Sequence, residues 1–454
     1  MLLLTITATF HKLRPQPCHG ESNICANPTK IQFAVLYLSL ALAVLGMGGT
    51  RVTIGPMGAH QFDQPKERGI FFNWYALVMD VCVIVSSTGI VYVINNVSWA
   101  WGFGITAITN IFALLLFFVG TGFFRELKPQ GSPFPGLASV IIRAIKNRGT
   151  LLSQDPIDYY QHHENETNPT LPSKFFRFLN HAALKIEGDT EQNGSPKKSW
   201  QFCTVKKVED LKSLIKLIPL WTSAILVCIP YIIQTSLGIL QALTMDRHLG
   251  HNAHIAAASV VAVLLVSGCI TILFIDRILF PMWNKFGLQP ITPLQRICIG
   301  HCFYILSMAI SAFVEAKRLK IVRIHNLRHE DNALVPMSIY WLVPSYALVG
   351  IAEAFNFPGQ VEFYYREFPQ DMKNTSSAIV SLFYGITCYV GNALIDVFRR
   401  STDWLPDNIN NGRLDIVYWL ITVLVGINFC YFLLCASLYK YKTIEDDDGF
   451  VSSS

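Results

Sequence analysis

Long runs without a charged side chain constrain this sequence more than any other feature. A helix needs about 20 apolar residues to cross the hydrocarbon core of a bilayer. Only helices and closed barrels can satisfy the backbone in lipid. The runs here do not alternate between apolar and polar residues, as barrel strands would. They are Ile31–Thr50, Val81–Phe124, Leu217–Met245, Ile255–Ile275, Ile297–Val314, Asn332–Ala352, Asn374–Ile395 and Ile416–Tyr439.

We predict an all-α membrane protein with nine spanning helices, because Val81–Phe124 is long enough for two of them. Residues 1–10 are also apolar but too short to cross. Only 15% of the residues are charged, against about one quarter in soluble domains, which argues against a soluble enzyme. The spans are expected near residues 33–54, 71–94, 98–121, 214–240, 255–275, 296–316, 336–357, 374–397 and 414–438.

Several other function classes are disfavoured by the composition and by the motifs. The net charge of +5 is too small to indicate a nucleic-acid partner. The sequence has no phosphate-binding loop, hydrolase elbow, zinc-protease motif or dinucleotide fingerprint, so we expect no enzyme activity. The 11 cysteines contain no CxxC pair, so neither a metal site nor a redox site is predicted. No cofactor is expected.

A long polar segment divides the chain. We predict four parts: residues 1–121 with the apolar stub and three spans, 122–213 as a linker, 214–438 with six spans, and 439–454 as a polar tail. Within the linker, Leu137–Asn147 has apolar residues at helical spacing. This predicts an amphipathic helix that lies either on a membrane surface or against the spans. The distribution of Lys and Arg among the loops does not settle the orientation.

Three ionisable residues inside predicted spans stand out, because charge there is costly and marks candidate functional sites. Arg51 follows the small residues of Gly46–Thr50, which let another helix approach closely. Glu353 lies in the seventh span and is the natural partner of Arg51, since each lowers the cost of burying the other. A planar guanidinium also suits a planar oxyanion. A structural ion pair is the alternative. For Asp80, a structural role is favoured.

Proline and polar residues mark a second candidate region in the fourth span. Pro230 is expected to kink this helix, and such breaks cluster near carrier sites. Tyr231 supplies a hydroxyl donor, and the residues after it are predicted to line a polar cavity. These residues are Gln234, Thr235 and Gln241. A kink without any ligand is the alternative.

Nine motifs together resemble the plant nitrate/peptide transporter family, which is the plant branch of the proton-coupled oligopeptide transporters within the major facilitator superfamily. The sequence around Gly48–Arg51, Met245–Gly250 and Asp407–Leu414 is most similar to the nitrate excretion transporter branch. The resemblance covers nearly the whole chain. Its motifs are Leu45–Ile54, Gly58–Asp63, Phe71–Tyr75, Leu243–Arg247, Phe280–Trp283, Thr292–Arg296, Glu353–Gln360, Phe363–Glu367 and Trp404–Leu414.

The resemblance implies a helical bundle of twelve spans with both termini in the cytosol. The nine spans then match helices four to twelve, and residues 1–10 match the end of helix three. Helices one and two and their Glu-x-x-Glu-Arg proton-coupling motif are absent. We therefore expect a truncated isoform, an incomplete gene model or a degenerate paralogue. The loop with Cys18 and Cys25 becomes extracellular, where the two thiols either form a disulfide or stay free.

Four substrate-binding residues follow from the resemblance. The helix-four lysine of the family matches Arg51, and the helix-ten glutamate matches Glu353. A helix-seven histidine that contacts nitrate in one family member matches Tyr231, and a threonine one turn later is present as Thr235. Tyr231 departs from the family pattern, because a phenol donates a hydrogen bond but does not become cationic near neutral pH.

The resemblance implies a multi-pass carrier at the plasma membrane that moves nitrate passively out of the cell by alternating access. Its expected partners are a small anion and the lipid bilayer; the sequence does not define an oligomeric state. Two alternatives stay open. One is a carrier of another anion, such as chloride or a glucosinolate. The other is a non-transporting chain that regulates full-length homologues.

Overall fold

The computed structural model describes residues 1–13, 28–125, 133–160, 171–185, 203–249, 253–254, 257–287, 291–329 and 333–441. Within these ranges, fourteen α-helices make up most of the chain, which confirms the predicted all-α class. The helices are α1 (Leu2–Thr9), α2 (Lys30–Ala59), α3 (Pro65–Val85), α4 (Val91–Asn96), α5 (Trp99–Gly120), α6 (Pro133–Lys146), α7 (Val205–Val227), α8 (Ile229–Leu243), α9 (Val260–Phe274), α10 (Phe280–Lys285), α11 (Pro293–Ile324), α12 (Val343–Glu367), α13 (Ser376–Ser401) and α14 (Leu414–Leu438).

Short strands and single turns connect these helices. Strand β1 pairs in parallel with β4, and β2 pairs antiparallel with β3. Two π-helical turns, Ser86–Ile90 and Ile275–Leu279, continue α3 into α4 and α9 into α10. The strands are β1 (Met245–Asp246), β2 (His248–Leu249), β3 (Ala253–His254) and β4 (Val335–Ser338).

Eight helical segments in the described part of the chain are long and apolar enough to cross a membrane. These segments correspond to eight of the nine predicted spans, whereas the predicted span at 336–357 is a different case. Its helix, α12, has 25 residues but is not among the eight, because it carries the polar residues Glu353, Asn356 and Gln360. The eight segments are Lys30–Ala59, Lys66–Ile94, Trp99–Phe123, Val205–Leu243, Val260–Trp283, Pro293–Ile324, Ser376–Ser401 and Leu414–Leu438.

Local sequence signals set several helix ends. Thr292 and Gln295 form a capping box at the start of α11: the Thr292 Oγ1 accepts from the Gln295 backbone N–H at 3.3 Å, and the Gln295 Oε1 accepts from the Thr292 N–H at 2.9 Å. Pro293 fills the first helical position, where no donor is needed. Pro230 lies in the first turn of α8 and marks the break between α7 and α8, as predicted.

The chain divides into two compact units. The first comprises Met1–Glu126, Ile225–Glu362 and Ser377–Cys430, and the second comprises Leu127–Ala224, Phe363–Ser376 and Tyr431–Ser454. The four-part division into 1–121, 122–213, 214–438 and 439–454 stays a prediction.

Glycines in the first unit let three helices meet closely around the middle of α12. A Cβ on Gly350 would lie 3.0 Å from the Gly268 nitrogen of α9 and would collide with the Ser267 hydroxyl. A Cβ on Gly300 of α11 would lie 3.0 Å from the Ala352 carbonyl oxygen. Small residues at such crossings bring backbones together. The α12 turn that carries Glu353 is therefore held between α9 and α11.

The second unit has its own apolar core, built from α6, the start of α7 and the segment between them. An isolated bridge pairs Tyr159 with Leu184. The buried ammonium of Lys212 donates to Glu209 Oε1 at 2.7 Å and to the Ser173 carbonyl oxygen at 2.9 Å. These contacts fix α7 against the preceding segment. The predicted helix at Leu137–Asn147 corresponds to α6, which ends one residue earlier, at Lys146.

Candidate functional site

The carboxylate of Glu353 is the centre of the candidate site. It is half-buried on α12, and both of its oxygens accept hydrogen bonds from phenols. Tyr304 of α11 donates to Oε2, and Tyr384 of α13 donates to Oε1. Hydrogen bonds to a charged group are stronger than neutral ones, so three helices are joined through this one side chain.

The structure brings Arg51 near Glu353 without joining them in an ion pair. The positive charge of Arg51 acts on Glu353, yet among the described residues the guanidinium makes no ion pair with a carboxylate. Each oxygen of Glu353 instead accepts a hydrogen bond from a phenol. Arg51 is exposed on α2, so its donors are available to a ligand.

Asp80 of α3 faces the same region; the structural role that the sequence favours for it stays a prediction. Its Oδ2 lies 3.4 Å from the position that a Cβ on Gly268 would take, and that position lies 3.5 Å from the Gly350 carbonyl oxygen. Gly350 is one turn before Glu353, and the charges of the two carboxyl groups act on each other. The absence of a side chain at Gly268 is what gives Asp80 room at this helix crossing.

Tyr231 is also brought to the site, whereas Thr235 is held by its own helix. The phenol of Tyr231 lies within electrostatic reach of Glu353, Asp80 and Arg51. The Thr235 hydroxyl donates to the Tyr231 carbonyl oxygen at 2.8 Å, so only its lone pairs face outward. The substrate-binding roles of Arg51, Tyr231, Thr235 and Glu353 stay predictions.

The two glutamines after Pro230 do not line a cavity, contrary to the prediction. Both are fully buried. Gln234 donates to the Ser345 hydroxyl at 3.2 Å and accepts from the Ser311 hydroxyl at 3.1 Å. Gln241 donates to Glu315 Oε2 at 2.7 Å. Buried amides need such partners, and these two therefore join helices.

Sequence reasoning missed the polar face of α12 below Glu353. Asn356 donates to the Cys228 sulfur at 3.6 Å, and Gln360 donates to Asn356 Oδ1 at 3.1 Å. The spacing of Glu353, Asn356 and Gln360 places them on one helix face, and this spacing is a signal that the sequence does contain. Tyr304 and Tyr384 carry no comparable signal.

A second buried charge network lies at the other end of α11. Arg318 donates to both oxygens of Glu315 at 2.7 Å, and both side chains are fully buried. Arg318 also donates to Asn410 Oδ1 at 2.6 Å and to the Thr244 hydroxyl at 3.1 Å. A buried pair persists only when its remaining donors and acceptors are satisfied. This network therefore holds α8, α11 and the loop before α14 together.

A third charged contact joins α11 to α12 and reaches α3. The buried guanidinium of Arg296 lies 3.9 Å from Glu362 Oε2 and donates to the Ala354 carbonyl oxygen at 3.2 Å. Glu362 in turn lies 3.3 Å from the position that a Cβ on Gly69 would take. This contact lies about two and a half turns from Glu353 along α12.

The predicted cysteine pair cannot be compared with the structure, because Cys18 and Cys25 lie outside the described residues. The other nine cysteines are free thiols.

Comparison with known proteins gives a consistent match along the chain. The sequence pattern of the POT family matches residues 1–410. The Arabidopsis thaliana proteins NRT1/ PTR FAMILY 2.5 and 2.7 are 43% and 44% identical over 98% of this chain, and each match covers 79% of the relative. NRT1/ PTR FAMILY 3.1 from the same plant is 36% identical over 98% of this chain and 78% of its own.

Solved structures match at the level of the fold. An auto-inhibited POT family peptide transporter superposes with a TM-score of 0.59 at 17% identity, covering 90% of this chain and 78% of the other. A mutant POT peptide transporter in complex with alafosfalin superposes with a TM-score of 0.51 at 14% identity, covering 96% and 77%.

Proposed function

Since this chain belongs to the POT family and is a multi-pass membrane transporter related to plant NRT1/PTR proteins, we propose that its substrate is a small anion, with nitrate favoured. We further propose passive efflux at the plasma membrane by alternating access. The observation that supports this most is that Arg51 lies within electrostatic reach of Glu353, whose oxygens accept hydrogen bonds from Tyr304 and Tyr384.

The chemistry of Arg51 suits such a substrate. A guanidinium presents a planar fork of N–H donors that can bind a planar oxyanion through two hydrogen bonds. Among the described residues, Arg51 is the basic group whose charge acts on Glu353. An anion that enters this region therefore meets one cation with unpaired donors. Tyr231 adds a neutral hydroxyl donor close by.

The two carboxyl groups set the charge that an anion meets. When Asp80 and Glu353 are both ionised, the cluster with Arg51 has one excess negative charge, which repels an anion. One proton on either carboxyl group makes the cluster neutral, and two protons make it cationic. Charge interactions of this kind are stronger in a membrane interior than in water. Anion affinity is therefore expected to rise as the carboxyl groups take up protons.

The contact between α2 and α13 is the one that we expect to open and close during alternating access. The Ser377 hydroxyl donates to the Val52 carbonyl oxygen at 2.5 Å, immediately next to Arg51 in the chain. A Cβ on the following turn, at Gly55, would lie 4.0 Å from Ser377. In alternating access this contact breaks when the site opens on its side of the membrane and reforms when the site closes.

The test is nitrate efflux from proteoliposomes that contain the purified chain. Preloaded vesicles should lose nitrate faster than protein-free vesicles, and the rate should saturate with nitrate concentration. External chloride and a glucosinolate, each tested as competitor and as cargo, identify which anion is preferred. Efflux equal to that of protein-free vesicles, with protein confirmed in the bilayer, overturns the proposal. Faster movement of chloride or the glucosinolate reassigns the substrate.

A further inference from the structure

Helix α6 buries Val140 and Ala144 in the core of its unit and also exposes a second set of apolar side chains. Phe134, Ile141, Ile142 and Ile145 are all exposed, and Ile142 retains 61% of its surface. With Ala138 they recur at helical spacing, so they form one continuous stripe. We call this stripe, with Lys146 and Arg148 at its end, the α6 face.

The opposite side of α6 is fixed in the core of its unit by polar contacts. Asn147, just after the helix, donates to the His181 carbonyl oxygen at 3.1 Å. Ser139 lies 3.3 Å from the Cys203 sulfur, and the Arg143 guanidinium lies 5.6 Å from the centre of the Tyr160 ring. Arg143 is only 9% exposed. These contacts prevent the helix from rotating its isoleucines inward.

A helix at a water-exposed surface normally carries polar side chains opposite its core face, whereas α6 carries this second apolar stripe there. Exposed apolar patches of this kind mark contact with a protein or a membrane. The charges nearby favour a membrane. Lys146 and Arg148 are exposed at the end of the stripe, and the turn Arg177–Ala182 packs beside α6. That turn adds the exposed Arg177 and Phe178.

We propose that the α6 face docks on the surface of the bilayer and prefers anionic lipids. The apolar stripe enters the boundary between headgroups and acyl chains, and Lys146 and Arg148 pair with lipid phosphates or carboxylates. The α6 face lies in the same compact unit as the start of the spanning segment Val205–Leu243, so a bilayer is close to this unit. This surface shares no residue with the site around Glu353, and the proposal does not depend on the transported anion.

The experiment places a nitroxide on the full chain through a genetically encoded ketone residue at position 142, which avoids the native cysteines. A matched label at Asp155, an exposed polar position of the same unit, is the control. Each protein is reconstituted in phosphatidylcholine vesicles with and without phosphatidylserine. Power saturation then compares collisions with oxygen, which concentrates in lipid, and with a water-soluble nickel complex.

Docking predicts that the label at 142 collides more with oxygen than with nickel, whereas the label at 155 shows the opposite. Phosphatidylserine should move the label at 142 deeper into the bilayer. The paired change Lys146→Glu with Arg148→Glu should remove that effect. A label at 145 repeats the measurement if the first variant folds poorly. Nickel access at 142 and 145 equal to that at 155 overturns the proposal. Dipolar broadening between two labels, or shielding from both reagents, overturns it in favour of a second copy or another protein.

Discussion

Removing one phenol from Glu353 should weaken anion binding through Arg51. In Tyr384→Phe, Oε1 of Glu353 loses its donor, and a hydrogen bond to a charged group contributes about 1.5–3 kcal/mol. The carboxylate regains part of this energy by turning to Arg51, the cation whose charge already acts on it. An anion must then displace Glu353 from Arg51. If about 1.4 kcal/mol is recovered, the KM for the anion rises about tenfold.

The assay is the concentration dependence of nitrate efflux from proteoliposomes. Tyr346→Phe is the matched control, because this buried phenol of α12 donates to the Gln234 carbonyl oxygen at 2.9 Å and not to Glu353. Its KM should stay close to that of the unmodified chain. A double-mutant cycle isolates the cause: in a Glu353→Gln background, Tyr384→Phe should have little further effect. A tenfold change that persists in that background would refute the reasoning.

Three further predictions concern charge and packing. Asp80→Asn removes one negative charge from the cluster, so anion affinity at neutral and alkaline pH should rise. The pH dependence of this affinity should also flatten. An unchanged pH profile of KM contradicts this prediction. Glu315→Gln leaves Arg318 with an uncompensated buried charge, which lowers the free energy of unfolding by about 3–5 kcal/mol. The double variant Glu315→Leu with Arg318→Met should recover most of this stability. A thermal-unfolding midpoint of Glu315→Gln within error of the unmodified chain contradicts the prediction. Gly350→Ala forces its Cβ against Ser267 and should lower the midpoint, whereas Gly426→Ala, which has open space around it, should not.

The spanning helices were predictable because lipid leaves the backbone little choice. The expected spans 98–121 and 414–438 correspond closely to α5, Trp99–Gly120, and α14, Leu414–Leu438. The span expected at 336–357 was placed too early, since α12 begins at Val343 and continues to Glu367. The polar residues near the end of α12 lower its mean hydropathy. In the structure Asn356 and Gln360 have hydrogen-bond partners there.

The candidate site was only partly predictable. Arg51 and Glu353 were recognisable as costly charges in apolar segments. Tyr304 and Tyr384 were not, because they lie 49 and 31 residues from Glu353 in sequence and reach it only through helix packing. The relation of Asp80 to Glu353 was not predictable for the same reason, because it depends on the close crossing at Gly268 and Gly350.

The central claim, that Arg51 binds the transported anion, is tested most directly by nitrate efflux from proteoliposomes containing Arg51→Ala. Arg323→Ala is the matched control, because Arg323 is an exposed arginine in the last turn of α11. We predict that Arg51→Ala reduces saturable efflux to the level of protein-free vesicles, while Arg323→Ala retains the rate of the unmodified chain. Equal, saturable efflux from both variants would contradict the assignment of Arg51 as the anion site.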